Sequence, residues 1–315
     1  MSKKKRVVCL GGGNAMPKAV LSELKKKPVM ISAICAMLDS GGSAGRLRKD
    51  YQINSPGDIR RAFLALANTS PAVENLFNFR FETGGLKGHN FANLFITALE
   101  LSTNDYEKTI KEIKRMLNIK HEVLPSTLDK AHLWAKLKNG KTVKGETNID
   151  IPKHDGRIGI EKVFLKPKAK AYPGALKAIK KADLIIIGPG DLYSSLAQIL
   201  LTEGMGESIR EASAKKVYVC NLMTKHGETN NFKVEDFSKK IEEIIQGELD
   251  YVVYNNKTID KRRVKSFHQK NKELLNPVKF NSSLNKKKFV GADIITNSGD
   301  IVHDPVKLVK TILKL

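Results

Sequence analysis

Cysteine, aromatic residues and acid are all scarce in this chain, and each shortage closes off a class of protein. Only three cysteines occur, Cys9, Cys35 and Cys220. Each sits in an apolar strand-like run and none forms a C-x-x-C pair, which argues against a disulfide scaffold, a catalytic thiol or a cysteine metal site. They read as small buried hydrophobes in a reducing compartment. Aromatics make up 6% of the 315 residues, too few for a surface that stacks on nucleic-acid bases. No apolar run approaches the roughly 18 residues a membrane span requires. The short run Val7–Leu10 leads straight into glycines and is no signal-peptide core. The expected location is therefore the cytoplasm, with no membrane partner.

Acid is outnumbered: 55 Lys and Arg face 33 Asp and Glu, for a net charge of +22. The 44 lysines alternate with Glu and Ala on helix-like segments and read as solvated surface, so nucleic acid is the less favoured partner. The 11 arginines behave differently. Arg46, Arg48, Arg60 and Arg61 fall in one short stretch beside a run of glycines, where forked donors suit phosphate.

Short apolar runs alternate with amphipathic stretches. Arg6–Leu10 and Val29–Leu38 read as buried strands, separated by a helix over Ala15–Lys27 with Pro17 in its first turn. Helices are expected over Asp58–Ala67, Phe91–Leu101 and Tyr106–Leu117, the last with Asn104 and Asp105 as capping candidates. Between His121 and Phe164 short runs flank Asn139-Gly140, a hairpin signal, so about 120–165 is read as a small antiparallel β insertion or edge. The alternation then returns, with strands at Asp183–Ile187, Val217–Asn221 and Tyr251–Asn255. Lys257–Asn285 is polar and shows no period. Residues 1–315 thus read as a single α/β nucleotide-binding domain, a doubly wound, mostly parallel sheet in a three-layer Rossmann-like sandwich.

Polar loops fall at the predicted strand ends, the edge where ligands of open α/β sheets bind. Gly11, Gly12, Gly13 and Asn14 lie between the first strand and first helix, placed to offer backbone N–H groups to an anion. Met16 breaks the G-x-G-x-x-G dinucleotide pattern. Asp39, Ser40, Gly41, Gly42 and Ser43 follow the second strand and lead to Arg46. Asp39 can hold a ribose hydroxyl or a divalent ion, or cap its own turn. Asp58 can share a Mg²⁺ with Asp39, or serve only as a helix cap. His89, Asn90 and Asn93 open a further helix. His89 can donate to phosphate, act as acid or base, or make a structural hydrogen bond. Gly188, Gly190, Asp191 and Tyr193 form a second anion or sugar loop, with Tyr193 stacking on a base or packing. Asn221 and Thr224 complete the set. No nucleophile is paired with a base, and no histidines are spaced for zinc.

In this order the motifs resemble the superfamily of the 2-phospho-L-lactate transferases (CofD) and the bacterial gluconeogenesis factors (YvcK-like), the latter branch most of all. The resemblance rests on GGGNA at Gly11–Ala15, LDSGGSAGRLR at Leu38–Arg48, SPGDIRR at Ser55–Arg61 and GHNFANLF at Gly88–Phe95. LPSTL at Leu124–Leu128, GPGDLYSS at Gly188–Ser195 and CNLMTKHGET at Cys220–Thr229 extend it. It implies a cytoplasmic three-layer α/β protein that binds a UDP-sugar and serves carbon flux and cell-wall or cell-shape homeostasis. For the transferase branch it implies Mg²⁺-dependent phospholactyl transfer from a guanosine diphosphate donor, with Asp39, Asp58 and His89 as catalytic candidates. By position, the glycines at 11–13 and 41–42 and Arg46 would hold phosphates, Asp39 and Asp58 metal or ribose, and Tyr193 the nucleotide-sugar. The chain departs from the family pattern at Asn14-Ala15, Ser40 and Val302. The first reading is a UDP-sugar-binding regulatory protein without turnover. The alternative is a Mg²⁺-dependent transferase using a nucleotide-diphosphate donor, and a basic nucleic-acid binder comes third. The partner is a nucleotide-sugar or nucleoside diphosphate, and a homo-oligomer is compatible with all of this.

Overall fold

Every residue of Leu184–Ile187 is buried, as befits a parallel strand covered on both faces, which has no polar side to show. The computed structural model describes residues 4–315. The chain begins β1 (Lys5–Leu10), α1 (a π-helical turn Pro17–Leu21 running into Ser22–Leu24), β2 (Val29–Cys35), α2 (Gly42–Tyr51) and α3 (Gly57–Leu66). It continues through α4 (Pro71–Asn78), α5 (Phe91–Thr103), α6 (Tyr106–Met116) and β3 (Glu122–Pro125). A small piece follows, with β4 (His132–Leu137), β5 (Thr142–Lys144), a short α7 (Glu146–Asp150) and β6 (Ile160–Lys166). Next come α8 (Pro173–Lys180), β7 (Leu184–Ile187), α9 (Leu192–Ala197 continued by Gln198–Leu200), α10 (Met205–Glu211) and β8 (Lys215–Val219). The last part holds β9 (Met223–Lys225), α11 (Val234–Ile245), β10 (Tyr251–Asn255), α12 (Lys261–Lys270), β11 (Leu274–Pro277), β12 (Phe289–Ala292) and α13 (Pro305–Leu313).

Seven strands pair in the order β3-β2-β1-β7-β8-β10-β12, and every pairing is parallel. The chain winds outward one way from β1 and then the other way from β7, so the order reverses between these two strands. That reversal opens a crevice at their carboxyl ends. Side chains alternate across the sheet. Val8, Leu10, Ile185 and Ile187 face one core, with residues of α8, α9, α10, α11 and the small β4–β6 sheet. Val7, Cys9, Leu184 and Ile186 face the other, with residues of α1, α3, α5, α6 and α13. All three cysteines are buried and free.

The caps explain several boundaries. Asp105 accepts from the N–H groups of Glu107 and Lys108 and starts α6. Asn104 instead ends α5 in the left-handed conformation, φ 48°. The insertion is antiparallel, β5-β4-β6, while Glu122–Pro125 joins the main sheet beside β2. The antiparallel insertion read over about 120–165 therefore excludes Glu122–Pro125, which is a parallel strand of the main sheet, and two further readings differ from the structure. Val29–Leu38 is strand only to Cys35, and the glycine-rich stretch after Asp39 is the start of a ten-residue helix. Gly45 shows why glycine is needed there. A Cβ on it would lie 2.1 Å from the Ser40 carbonyl oxygen, so the glycine lets the loop pass over the helix.

Candidate functional site

The crevice beyond β1 and β7 is a cleft of about 900 Å³. Its floor is Gly12, Gly190 and Ser195. A Cβ on Gly12 would stand 2.2 Å from Asp58 Oδ2 and 2.8 Å from Ser195 Oγ, so residue 12 must be glycine for these side chains to approach. Three differently built walls rise from this floor.

The first wall is basic and comes from the β2 side: Lys18 on α1, Arg60 and Arg61 on α3, and Arg80 after α4. Arg80 is tied to the Gly88 carbonyl at 2.6 Å, and Arg61 pairs with Asp58 at 2.5 Å. Arg60 is only 8% exposed, and among the described residues its Nε has no partner. Burial pulls the Arg60 pKa down to about 10, reinforced by Arg61 and Arg80 and opposed by Asp58. Among the described residues no carboxylate forms an ion pair with this buried cation, and Asp58 is the acidic charge acting on it. Next to it, Gly42, Ser43 and Ala44 in the first turn of α2 also line the cleft, and no side chain caps that helix. A helix start without a side-chain cap, in a cleft that three guanidiniums also line, has the donors and the charge that can receive an anion.

The second wall is acidic: Asp39, Glu146, Asp150 and Asp191. Glu146 accepts from the Ser40 N–H at 3.3 Å. Its carboxyl is pushed up to about 8 by burial first and then by Asp39 and Asp150. Behind it, Lys225 Nζ pairs with Asp191 at 2.9 Å, with Glu228 at 3.2 Å and with Asp150. Burial pulls that ammonium's pKa down, but the three carboxylates outweigh it and drive the pKa up. Glu228 also accepts from the N–H groups of Tyr193 and Ser194 at 3.0 and 3.1 Å, and so caps α9. Burial raises the Glu228 pKa and Lys225 opposes it. The third wall, on the β8 side, is apolar: Leu222, Met223, Leu274, Ile301 and Val302, with Asn221 and His303 among them.

The structure sorts the residues predicted from sequence. Gly12, Gly13, Asn14, Asp39, Gly41, Gly42, Ser43, Asp58, Asn93, Gly190, Asp191 and Asn221 line the cleft. The glycine loop does not offer its amides freely, because the Gly13 N–H donates to Asp58 Oδ1 at 3.0 Å. Likewise the Gly41 N–H donates to Asp39 Oδ1 at 2.8 Å. Burial raises the Asp58 pKa, while Arg61 and the Gly13 N–H pull it down. Arg46 is not in the cleft. It lies one helical turn into α2 on an exposed face and donates to the Lys87 carbonyl at 3.1 Å. His89 sits behind the wall, its Nδ1 3.2 Å from Ser43 Oγ. Burial lowers the His89 pKa, with Arg46 and Arg80 adding to it. Asn90 caps α5 by accepting from the Asn93 N–H at 3.2 Å. Ser40 bonds Thr147 Oγ1 at 3.1 Å, and Thr224 Oγ1 accepts from the Asn276 N–H at 3.2 Å. Gly11 packs on Met16, and Gly188 on the Val219 carbonyl. The Tyr193 ring is 2% exposed and packs in the core with Leu192 and Leu196. Burial raises its pKa.

Arg80, Glu146, Asp150, Ser195 and His303 were not singled out as site residues from sequence. For Glu146 and Asp150 a signal existed, since residues four apart share one face of a helix. Ser195 Oγ and Asn93 Oδ1 are, like Arg60 Nε, buried without a partner among the described residues.

A reversed-order parallel sheet with a charged cleft at its switch point defines a doubly wound α/β protein of the switch-point ligand-binding class. The family model described as 2-phospho-L-lactate transferase CofD matches residues 7–297. The gluconeogenesis factor of Bacillus subtilis is 36% identical over 324 residues, covering 100% of this chain and 99% of that protein. The gluconeogenesis factor of Listeria innocua is 41% identical over 261 residues, covering 82% of this chain and 80% of that protein. A crystal structure of a Bacillus halodurans protein superposes with a TM-score of 0.92 at 36% identity, covering 99% of this chain and 100% of that one. The chain belongs to the CofD family, in its gluconeogenesis-factor branch.

Proposed function

We propose that the protein is a UDP-sugar-binding regulatory protein of the gluconeogenesis-factor type, acting in the cytoplasm on carbon flux and cell-wall or cell-shape homeostasis. The observation that carries this reading is Arg60, a buried guanidinium whose Nε has no hydrogen-bond partner among the described residues, lining the same cleft as the uncapped start of α2. The diphosphate is assigned to that wall, where Arg60, Arg61 and Arg80 match its charge. Sugar hydroxyls are assigned to the acidic wall and to the orphaned Ser195 Oγ and Asn93 Oδ1.

The arrangement supports binding more than transfer. Asp58 Oδ1 is engaged by Arg61 and the Gly13 N–H, which leaves the Asp39–Asp58 pair poorly suited to a shared Mg²⁺. Asp150, Asp191 and Glu228 lie within 4.8 Å of one another, but the Lys225 ammonium already pairs with all three. The test is a thermal-shift panel of UDP-N-acetylglucosamine, UDP-glucose and GDP, each with and without Mg²⁺. A UDP-sugar at a hundredfold excess over its Kd should add about 2.7 kcal/mol of stability, with or without the metal and without being consumed. A shift with GDP alone that requires Mg²⁺ would overturn the reading in favour of the transferase.

A further inference from the structure

The apolar wall carries two polar groups whose orientation the protein fixes. His303 is 9% exposed, and its Nε2 lies 3.2 Å from the Cys220 carbonyl oxygen. A carbonyl only accepts, so the proton is on Nε2 and Nδ1 is left as an acceptor. Among the described residues nothing donates to Nδ1. Burial holds the ring's pKa at about 4, so the ring is neutral at pH 7. Asn221, which follows the Cys220 that His303 contacts and lines the same cleft, accepts at Oδ1 from the Tyr218 hydroxyl at 3.3 Å, which leaves its Nδ2 as the free end. One bare acceptor and one bare donor thus stand on a shelf of Leu222, Met223, Leu274 and Ile301.

The shelf is held rigid by a residue from the polar segment that the sequence left unplaced. Arg263 on α12 donates through Nε to the Gly299 carbonyl at 2.9 Å and through Nη1 to the Thr296 carbonyl at 2.7 Å. Its Nη2 reaches the Asp300 carbonyl at 2.8 Å and Thr296 Oγ1 at 2.7 Å. Lys307 adds a bond to the Ile295 carbonyl at 3.0 Å, and Ile295 bridges to His303. The guanidinium fork therefore shapes the loop that ends in His303.

We propose that this shelf seats a nucleobase. His303 Nδ1 accepts an N–H of the base, Asn221 Nδ2 donates to the acceptor beside it, and Arg263 is a positioning residue for the pair. A planar heterocycle offering a donor next to an acceptor, with two apolar faces, is the group that such a surface complements. An anion is not, because a neutral acceptor lone pair would face it. The inference rests on the nucleotide reading above.

The test is calorimetric titration of UDP and of pyrophosphate into the wild-type chain, His303→Phe, Asn221→Ala and Arg263→Gln. UDP should bind the wild type at least tenfold more tightly than pyrophosphate. Each variant should lose tenfold or more for UDP and stay within threefold for pyrophosphate, which reports only the arginine wall. UDP affinity within threefold of wild type in His303→Phe and Asn221→Ala would overturn the proposal. So would equal binding of UDP and pyrophosphate to the wild type, which would leave the phosphate assignment standing. Failure of both ligands to bind the wild type would instead defeat the nucleotide reading itself, and the nucleobase seat with it. Asn221 is only partly buried and its variant keeps the comparison available if His303→Phe does not fold.

Discussion

At the scale of single residues, the site is governed by which charges lack a partner. Arg60 has none for its Nε, so Arg60→Gln should weaken UDP-sugar binding by about 1.5–3 kcal/mol, the worth of a charged hydrogen bond. Its apo melting temperature should hold or rise, because a buried charge near two like charges is removed. Arg46→Ala should leave affinity within twofold, since Arg46 lies outside the cleft lining and donates to the Lys87 carbonyl. A tenfold loss would mean that α2 turns in solution. Tyr193 is settled by stability rather than binding. Tyr193→Phe should be neutral or stabilising, because the hydroxyl is buried without a partner. Tyr193→Ala should cost about 3–5 kcal/mol in denaturant titration of the apo protein. Glu146 supplies the pH dependence. Its carboxyl ordinarily titrates near 4.5 and in the fold at about 8. Between these values the folded chain holds a proton that the unfolded chain lacks, so this group's contribution falls as pH rises through that window. Glu146→Gln should accordingly gain melting temperature over wild type as pH goes from 5 to 8 and show no gain near pH 4. A constant difference across that range would contradict the assignment.

At the scale of elements, the strands and most helices were legible in the sequence because burial on both faces writes an uninterrupted apolar run, as in Leu184–Ile187. What was missed followed from one ambiguity of glycine. Gly41, Gly42 and Gly45 look like a flexible phosphate loop, but Gly45 is required by the Ser40 carbonyl packed against it, and the helix starts at Gly42. That helix carries Arg46 out of the cleft and brings its own free N–H groups in. Lys257–Asn285 gave no period because it is built around α12 and the two-stranded β11–β9 pair, with only a small core of Phe267, Leu222 and Ile295. Its order comes from polar bonds to distant carbonyls, above all those of Arg263, and these leave no pattern in sequence. In Arg263→Gln the amides of Thr296–Val302 should exchange with solvent at least tenfold faster, while those of β1 and β7 stay protected. Unchanged exchange in the loop would show that Lys307 and the bridge to Ile295 suffice.

At the scale of the whole molecule, strand order does most to place the site. The reversal between β1 and β7 brings loops from opposite halves of the chain to one edge, and the cleft there collects residues from Gly12 to Pro305. The sequence identified which loops would meet. It could not show that Asp58 and Asp39 would take the Gly13 and Gly41 amides for themselves, and so leave the arginines as the groups on offer to an anion. Some of the cations behind the charge of +22 are bonded within the fold, as Lys225, Arg263 and Lys307 are. Among the described residues no helix is long and apolar enough to cross a membrane. The central claim is that the arginine wall receives the phosphates of a nucleotide-sugar, and calorimetric titration of UDP-N-acetylglucosamine into wild type and Arg60→Gln, without Mg²⁺, tests it most directly. One-to-one micromolar binding to the wild type, weakened tenfold or more in the variant, is the expected result. Equal affinity in the two proteins, or binding that appears only when Mg²⁺ is added, would contradict it.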